Sequence, residues 1–456
     1  MSFLRKRNFK VSDTFVWLSC ICVFYSCQKD FKKINFSIDR KLSNSSLSDK
    51  PNIIFIVGDD IGYEIPAING GQSYSTPNID QLARGGIRFI QCRAAPLCSP
   101  SRFMLLTGKY NFRNYTIWGE MNQSEKTIGN MLKDAGYATC YAGKWQLGGG
   151  DQSIRTFGFD RYSVWLPFKL CPENSEGPRY KSANIYQDGG YLPDSITNNK
   201  YSEDEFADYV MNFIDSNRTK PFFVYYSMIL SHFPFSPTPD DPEYSSWNDT
   251  LKSDKTYFPS MVKYMDKKIG LIISKLDSLG IANNTIIFFV GDNGTPSKIT
   301  SVFNGKKVTG AKGTTLELGI RVPLICKWPG KIQAGGISGD LIDFTDFLPT
   351  LAGVAGIPVP TNYGTLDGFT FYPQLTGIKG TPRTSVFCHY DPMLCTDSIP
   401  LARYAQDSVY KLYETGLFYR FKNDLNEKKP LPDSTLTRYQ RQIKQNLQNV
   451  INSMHN

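Results

Sequence analysis

Four apolar runs in this chain stop abruptly at charged or amide side chains. Asn52-Ile53-Ile54-Phe55-Ile56-Val57-Gly58 runs into Asp59-Asp60, and Tyr137-Ala138-Thr139-Cys140-Tyr141-Ala142-Gly143 into Lys144. Pro221-Phe222-Phe223-Val224-Tyr225-Tyr226-Ser227-Met228 is followed closely by Ser231-His232, and Thr285-Ile286-Ile287-Phe288-Phe289-Val290-Gly291 by Asp292-Asn293. Continuous apolar runs without alternation predict strands buried on both faces, as in a covered parallel sheet. Ile87-Arg88-Phe89-Ile90 and Val322 to Cys326 read as further strands.

Between these runs the period changes to that of helices. Phe206, Tyr209, Val210 and Phe213 line one side of a helix over 202–215, and Met261, Tyr264, Met265 and Ile269 one side of a helix over 258–279 that Gly280 ends. Thr76 as cap and Pro77 at the first position open a helix closed by Gly85-Gly86. A capped helix is expected from Ser124 to Gly136, and Asp343 and Asp346 are placed on a helix ending near Gly353. Residues 150–200 show little period and read as long loops. Beyond Leu366, Val386 to Tyr390 and Leu417 to Phe421 read as strands, with a hairpin turning at Thr415-Gly416 and a polar helical tail over 434–454.

With 456 residues, 41% hydrophobic and 20% charged, the chain is of ordinary globular composition and long enough for one large domain or two. The net charge of +9 suits an anionic substrate, but the cations are not clustered as nucleic-acid binding requires. The first residues read as a targeting segment: a basic head, Arg5-Lys6-Arg7, an apolar run from Phe15 to Tyr25, then Ser26-Cys27 and a polar stretch. The run is too short to span a bilayer comfortably. Ser26-Cys27 resembles a bacterial lipoprotein processing site, with Phe24 where Leu is usual. The expectation is an exported protein, periplasmic or on the outer cell surface, lipid-anchored at Cys27; a plain secretion signal cut nearby is the alternative. Residues 28–50, rich in Ser, Asn and Lys, read as a tether. Cys92, Cys140, Cys171, Cys326, Cys388 and Cys395 are available for pairing after export.

Ligands of open α/β sheets bind beyond the carboxyl ends of the strands. One site there accounts for Asp59, Asp60, Lys144, His232, Asp292 and Asn293 together, where a lone Asp-Asp would read as a solvated turn. The acidic and amide groups offer oxygen only, which suits a hard divalent cation. Leu97-Cys98-Ser99-Pro100-Ser101-Arg102 reads as a turn entering a helix, with Ser99 as a cap and Pro100 near the start. Cys98 then sits at a positive helix end, where an anion is favoured, and Arg102 lies one turn on. A buried structural cysteine in an ordinary helix cap is the alternative.

Cys98-Ser99-Pro100-Ser101-Arg102 with Leu106-Thr107-Gly108-Lys109 resembles the signature of the type I, formylglycine-dependent sulfatases of the alkaline-phosphatase superfamily, and among them the exported bacterial arylsulfatase A-like members. The resemblance runs from Pro51 to Gly377 and more loosely to Asn426. It implies an α/β fold: a large mixed, mostly parallel sheet sandwiched by helices, with a smaller C-terminal antiparallel sheet plus helix. The domains expected are a signal (1–27), a tether (28–50), a catalytic domain (51–365) and a C-terminal subdomain (366–456).

By the same resemblance Cys98 is oxidised to formylglycine by a formylglycine-generating or sulfatase-maturating enzyme, and the hydrated aldehyde is the nucleophile. Asp59, Asp60, Asp292, Asn293 and the modified Cys98 hold Ca2+, with Mg2+ as the alternative. Arg102, Lys144 and Lys312 hold the sulfate, and His232 or Lys312 protonates the leaving alcohol. Lys312 lies in Thr309 to Pro323, which matches a family segment whose Glu317 and Arg321 read as a structural clamp. Gly143-Lys144-Trp145-Gln146-Leu147-Gly148 departs from the family's Gly-Lys-Trp-His-Leu-Gly at Gln146. Glutamine holds a hydrogen bond but takes up no proton. Gln146, His232 and His389 are further candidate substrate contacts beside Lys144 and Lys312.

The activity implied is hydrolysis of a sulfate ester, with a sulfated carbohydrate as the substrate expected for exported members. Hydrolysis of a phosphodiester or phosphonate ester is the alternative chemistry. A non-catalytic surface protein that binds sulfated glycans is the alternative class, and Gln146 is its one support. The only membrane contact expected is through the N-terminal lipid, and no nucleic-acid partner is expected.

Overall fold

All four apolar runs become neighbours in one sheet. In chain order the strands of this computed structural model are β1 (Asn52–Gly58), β2 (Ile87–Arg93), β3 (Ala138–Lys144), β4 (Arg161–Trp165), β5 (Tyr186–Gln187), β6 (Gly190–Tyr191), β7 (Phe222–Ser227), β8 (Thr285–Gly291), β9 (Thr300–Phe303), β10 (Lys306–Thr309), β11 (Arg321–Lys327), β12 (Gly336–Asp343), β13 (Val386–Tyr390), β14 (Ala402–Gln406), β15 (Lys411–Tyr413) and β16 (Phe418–Tyr419). Ten of them form a sheet in the order β12-β2-β11-β8-β1-β7-β3-β4-β5-β6. The block β8-β1-β7-β3-β4 is parallel throughout. β11 runs antiparallel to both β8 and β2, while β12 is parallel to β2. The carboxyl ends of the parallel block therefore share one edge, and Asp59, Lys144, His232 and Asp292 follow those ends.

The structure describes residues 50–168, 177–248, 252–394 and 399–454. The signal over 1–27, its Cys27, the tether to residue 49, Cys171 and Cys395 lie outside the described residues. Everything described falls in the unit from Ser46 to Asn456.

The central strands bury both faces, and successive side chains enter opposite cores. Ile53, Phe55 and Val57 join one apolar cluster with Phe103, Leu105, Leu132, Phe347 and Leu351. Ile54 and Ile56 join the other with Leu82, Phe206, Val210, Met265 and Ile269. Helices Cys98–Thr107, Ile128–Asp134 and Phe347–Val354 thus cover one face, and Pro77–Arg84, Ser202–Ser216 and Phe258–Ser278 the other. The small sheet β13-β14-β15-β16 is antiparallel, and its Phe387, Ala405, Leu412 and Phe418 belong to the first cluster, together with Leu447 and Ile451 of helix Arg438–Ser453. Among the described residues no helix is long and apolar enough to cross a membrane.

Several local expectations are corrected. Asp343 ends β12 rather than lying on a helix, and its carboxylate caps the turn by accepting from the Thr345 N–H at 2.9 Å. The first half of β12 is partly exposed, so it carries no apolar run to signal a strand. The region 150–200 adds β4 to the parallel block and a short hairpin, β5–β6, too brief to leave a periodic signal. The helix expected from Ser124 begins at Ile128, because Thr127 and Asn130 form a reciprocal capping box there. Thr76 does not cap its helix: its hydroxyl accepts from the Ala67 N–H at 3.0 Å. Cys92, Cys140, Cys326 and Cys388 are buried free thiols, so none of these four is in a disulfide.

Candidate active site

At the end of β1 the chain turns through Asp60, which has φ +62°. Left-handed backbone is uncommon outside glycine and reaims the side chain sharply. The Asp60 N–H donates to Asp292 Oδ1 at 3.0 Å, and Asn293 Nδ2 donates to Asp60 Oδ1 at 2.8 Å. These two bonds lock the ends of β1 and β8 together. Asp59, Asp60, Asp292 and Asn293 are all almost fully buried.

Cations meet these groups directly. Lys144 Nζ lies 2.7 Å from Asp59 Oδ2, Lys312 Nζ 2.5 Å from Asp60 Oδ1, and Arg102 Nη2 2.8 Å from Asp292 Oδ2. Arg102 Nε reaches the same Asp292 oxygen at 3.1 Å, and Nη1 donates to the Ser227 hydroxyl. Ser227 Oγ in turn donates to the Lys144 carbonyl at 2.7 Å, so it ties β7 to β3. Burial alone would raise the Asp59 carboxyl, but Lys144, His232, Arg102 and Lys312 together hold it well below the usual range. Asp292 is pushed up to about 6 by burial and by Asp59. Burial works against charge on Lys312, yet Asp60 raises it above the ordinary lysine value, so it stays an ammonium.

Two buried oxygens here have no hydrogen-bond partner, Asp59 Oδ1 and Asn293 Oδ1. An unsatisfied buried acceptor costs about 1–3 kcal/mol. Ligand atoms of Asp59, Cys98 and Asp292 lie within 4.8 Å of one another, as do those of Asp59, Asp60 and His232. Carboxylate and amide oxygens with lone pairs to spare are the donors a hard cation takes, so these residues fit a divalent ion.

Cys98 opens the helix Cys98–Thr107, every residue of which is buried. Its N-cap is Leu97, which offers no side-chain acceptor to the first turn. The expected cap, Ser99, instead accepts the Gly119 N–H at 3.2 Å. Side-chain capping therefore leaves the positive helix end to the site. Cys98 Sγ points at Gln146 Oε1, 3.8 Å away. Gln146 follows the end of β3 with φ +55°, the same left-handed device as at Asp60.

His232 Nδ1 lies 2.6 Å from the Phe233 carbonyl. A carbonyl only accepts, so Nδ1 carries the hydrogen and the neutral ring presents a bare Nε2. That Nε2 lies 4.0 Å from Asp60 Oδ2. Burial, then Arg179 and Lys312, lower the imidazole well below its ordinary value and keep it neutral. His389 stands apart from this cluster: on β13 its Nδ1 accepts from Arg403 at 2.9 Å and its ring faces Phe112. Its neighbour Tyr390 reaches instead to the Gly313 carbonyl, at 3.0 Å. Glu317 pairs with Arg93 at 2.7 Å, and Arg321 donates to the Ile90 carbonyl, a structural clamp as read from the sequence.

Sequence reasoning missed Arg179 and Glu203. Arg179 Nη1 lies 3.5 Å from Asp59 Oδ2 and its guanidinium stacks on Trp165. No motif surrounds it, so nothing in the linear chain marks it. Glu203 sits in a helix first turn, where acids are ordinary. Its buried carboxyl accepts from the Tyr226 hydroxyl at 2.5 Å and the Ile229 and Leu230 N–H groups at 3.1 and 3.3 Å. It thereby holds the turn that carries His232.

Burial raises the Glu203 carboxyl from 4.5 to about 7. A folded value above the unfolded one means the folded state holds the proton longer. Stability from this group is complete below pH about 4.5 and is lost as pH rises to about 7, by at most about 1.4 kcal/mol per pH unit. Glu203→Gln, which cannot ionise, is expected to flatten the decline in urea midpoint between pH 5 and 7. Equal slopes for the two proteins would dismiss this linkage.

The sulfatase family model matches residues 51–357, and the model for the C-terminal part of N-sulphoglucosamine sulphohydrolase matches residues 311–453. Human arylsulfatase A is 32% identical over 369 residues, covering 74% of this chain and 70% of that protein. Mouse N-acetylgalactosamine-6-sulfatase is 33% identical over 363 residues, covering 72% and 66%. The structure of BT4656 in complex with its substrate D-glucosamine-2-N,6-O-disulfate superposes with a TM-score of 0.71 at 22% identity, over 88% of this chain and 97% of that one.

Proposed function

Because the chain belongs to the sulfatase family and is a sulfuric ester hydrolase, we propose that it removes sulfate from a sulfated carbohydrate with a nucleophile built on Cys98. One observation carries this reading: Cys98, at a helix start left without a side-chain cap, shares a buried site with Arg102, Lys144, Lys312 and the carboxylates at the strand ends. The sugar class is supported by the relative named for N-acetylgalactosamine 6-sulfate and by the fold neighbour that binds a sulfated glucosamine.

Oxidation of Cys98 to formylglycine, by a formylglycine-generating or sulfatase-maturating enzyme, followed by addition of water to the aldehyde, would supply the geminal diol whose hydroxyl attacks sulfur. Asp59, Asp60, Asp292, Asn293 and the oxygen on residue 98 would hold a divalent cation, Ca2+ in this reading and Mg2+ as the alternative, whose charge favours the ionised nucleophile. Arg102 is braced by Asp292 and Ser227, so its guanidinium is oriented before substrate arrives. Lys144 and Lys312 offer ammonium donors to the sulfate oxygens.

In this reading the proton work is divided between Lys312 and His232. Lys312 stays charged and its side chain is 15% exposed, so it is the donor to the leaving oxygen. His232 has committed its Nδ1–H to Phe233, so its bare Nε2 is a proton acceptor. Gln146 orients the group on residue 98 but takes no proton, so either a water or His232 accepts it. Export and attachment through a lipid on Cys27 complete the reading and rest on the sequence.

Mass spectrometry of the peptide that carries Cys98, from a host with the modifying enzyme, is expected to show conversion of thiol to aldehyde. The same preparation should hydrolyse an aryl sulfate at least about 100-fold faster than an aryl phosphodiester, as differential binding of the transition state predicts. An unmodified thiol, or the reverse preference, would overturn the proposal.

A further inference from the structure

Beside the site lies a cleft of about 620 Å³ to which no role has been given. One wall is the loop from Thr116 to Gln123, and the other is Leu147-Gly148-Gly149 with Gln152. Both walls are tied to the reacting pair. Leu147 directly follows Gln146, which faces Cys98, and Gly119 donates to Ser99, the residue after Cys98. The cleft is thus anchored to the segments that carry Cys98 and Gln146.

The lining has a distinct chemistry. Asn122, Gln123 and Gln152 are exposed amides, and among the described residues the side chains of Gln123 and Gln152 make no hydrogen bond. Thr116 adds a hydroxyl, Ile117 and Met121 add apolar surface, and Glu120 is the only charged residue among the described residues of the lining. Gly148 and Gly149 have φ +64° and +74°, a conformation that keeps this wall without side chains. The side chain of Gln123 lies over it: its Nε2 would be 3.4 Å from a Cβ added at Gly149. Amides that can both donate and accept match paired hydroxyls, and small apolar surface matches the face of a pyranose ring. Among the described residues of the lining, no lysine or arginine is present to meet a second anion.

We propose that this cleft binds the sugar residue next to the sulfated one, and that it selects a neutral, unsulfated residue there. This rests on the hydrolase reading above and adds its specificity. A sulfate or carboxylate in the cleft would lie beside Glu120 with no cation among the described lining residues, and would be disfavoured.

The test compares the wild type with the Gln123→Ala/Gln152→Ala double variant on 4-nitrophenyl sulfate and on two sets of disaccharides. The first set carries one sulfated and one neutral residue, and the second carries sulfate on both. Both substituted residues are exposed, so folding is not at issue. The wild type should favour the singly sulfated set by at least about tenfold in kcat/KM. The double variant should lose about 10–100-fold on that set, mainly through KM, while turnover of 4-nitrophenyl sulfate stays within about twofold. Undiminished disaccharide turnover by the variant, a preference for the doubly sulfated set, or cleavage of 4-nitrophenyl sulfate but of no disaccharide would each overturn the subsite. Failure of the wild type on 4-nitrophenyl sulfate itself would strike the hydrolase reading, and the subsite with it.

Discussion

Cys98→Ala is expected to abolish sulfate ester hydrolysis, by about 10⁴-fold or more in kcat/KM, while leaving the fold in place. Cys98 is 2% exposed at the head of a fully buried helix, and its side chain meets Gln146 across 3.8 Å. Removing one sulfur there leaves a small cavity and no unpaired charge, a cost of about 1–2 kcal/mol against the stability of a large domain. The ion pairs at Asp59, Asp60 and Asp292 do not involve residue 98, so the binding apparatus persists. The variant should therefore still bind a sulfated ligand that it cannot turn over. Steady-state kinetics with a thermal melt checks both halves of this. A variant within tenfold of the wild-type rate would remove Cys98 from the chemistry, whereas an unfolded variant would call for Cys98→Val as the space-filling control.

Removal of divalent cations is expected to have the second largest effect: a loss of activity of about 10³-fold or more and a melting temperature lower by a few degrees. Three buried carboxylates converge here with Asn293, and two oxygens of this set lack any hydrogen-bond partner. A cation bound at a hundred times its dissociation constant adds about 2.7 kcal/mol to stability. Titrating Ca2+ and Mg2+ into chelated protein, with melting and aryl sulfate turnover as readouts, should restore both properties. Ca2+ is expected at the lower concentration, because it accepts irregular oxygen shells more readily than Mg2+ does. Full activity in protein shown by metal analysis to hold no divalent ion would end the cation reading.

The site is made by convergence, and its parts differ in how visible they are along the chain. Asp59-Asp60, Lys144, His232 and Asp292-Asn293 were legible because each follows an apolar run that could only be a buried strand, where ending on such groups is expensive. Gln146 was legible as a departure, since a motif defines what should stand beside Lys144. Arg179 was not, because it arrives from an irregular segment and only its placement beside Asp59 gives it meaning. Glu203 was not, because an acid in a first helical turn is commonplace until its carboxyl is seen buried under the His232 turn. His389 shows the converse: a rare residue type draws attention in the sequence, yet its partners are Arg403 and Phe112.

The sequence alone determined the central strands, the long helices and the chemical class of the groups at the strand ends. Those follow from local rules, in which the period of apolar residues sets the element and the cost of burying charge marks its end. Only the tertiary structure decided which cation meets which carboxylate, that Nδ1 of His232 is committed to a carbonyl, and that the Thr116–Gln123 loop faces Gly148 and Gly149 across a cleft. These depend on sheet order and on left-handed turns at Asp60 and Gln146, which bring together side chains more than eighty residues apart, as in the Asp59–Lys144 pair. The pattern along a chain sets what each strand buries, but which strands become neighbours is settled by the packing of the whole sheet.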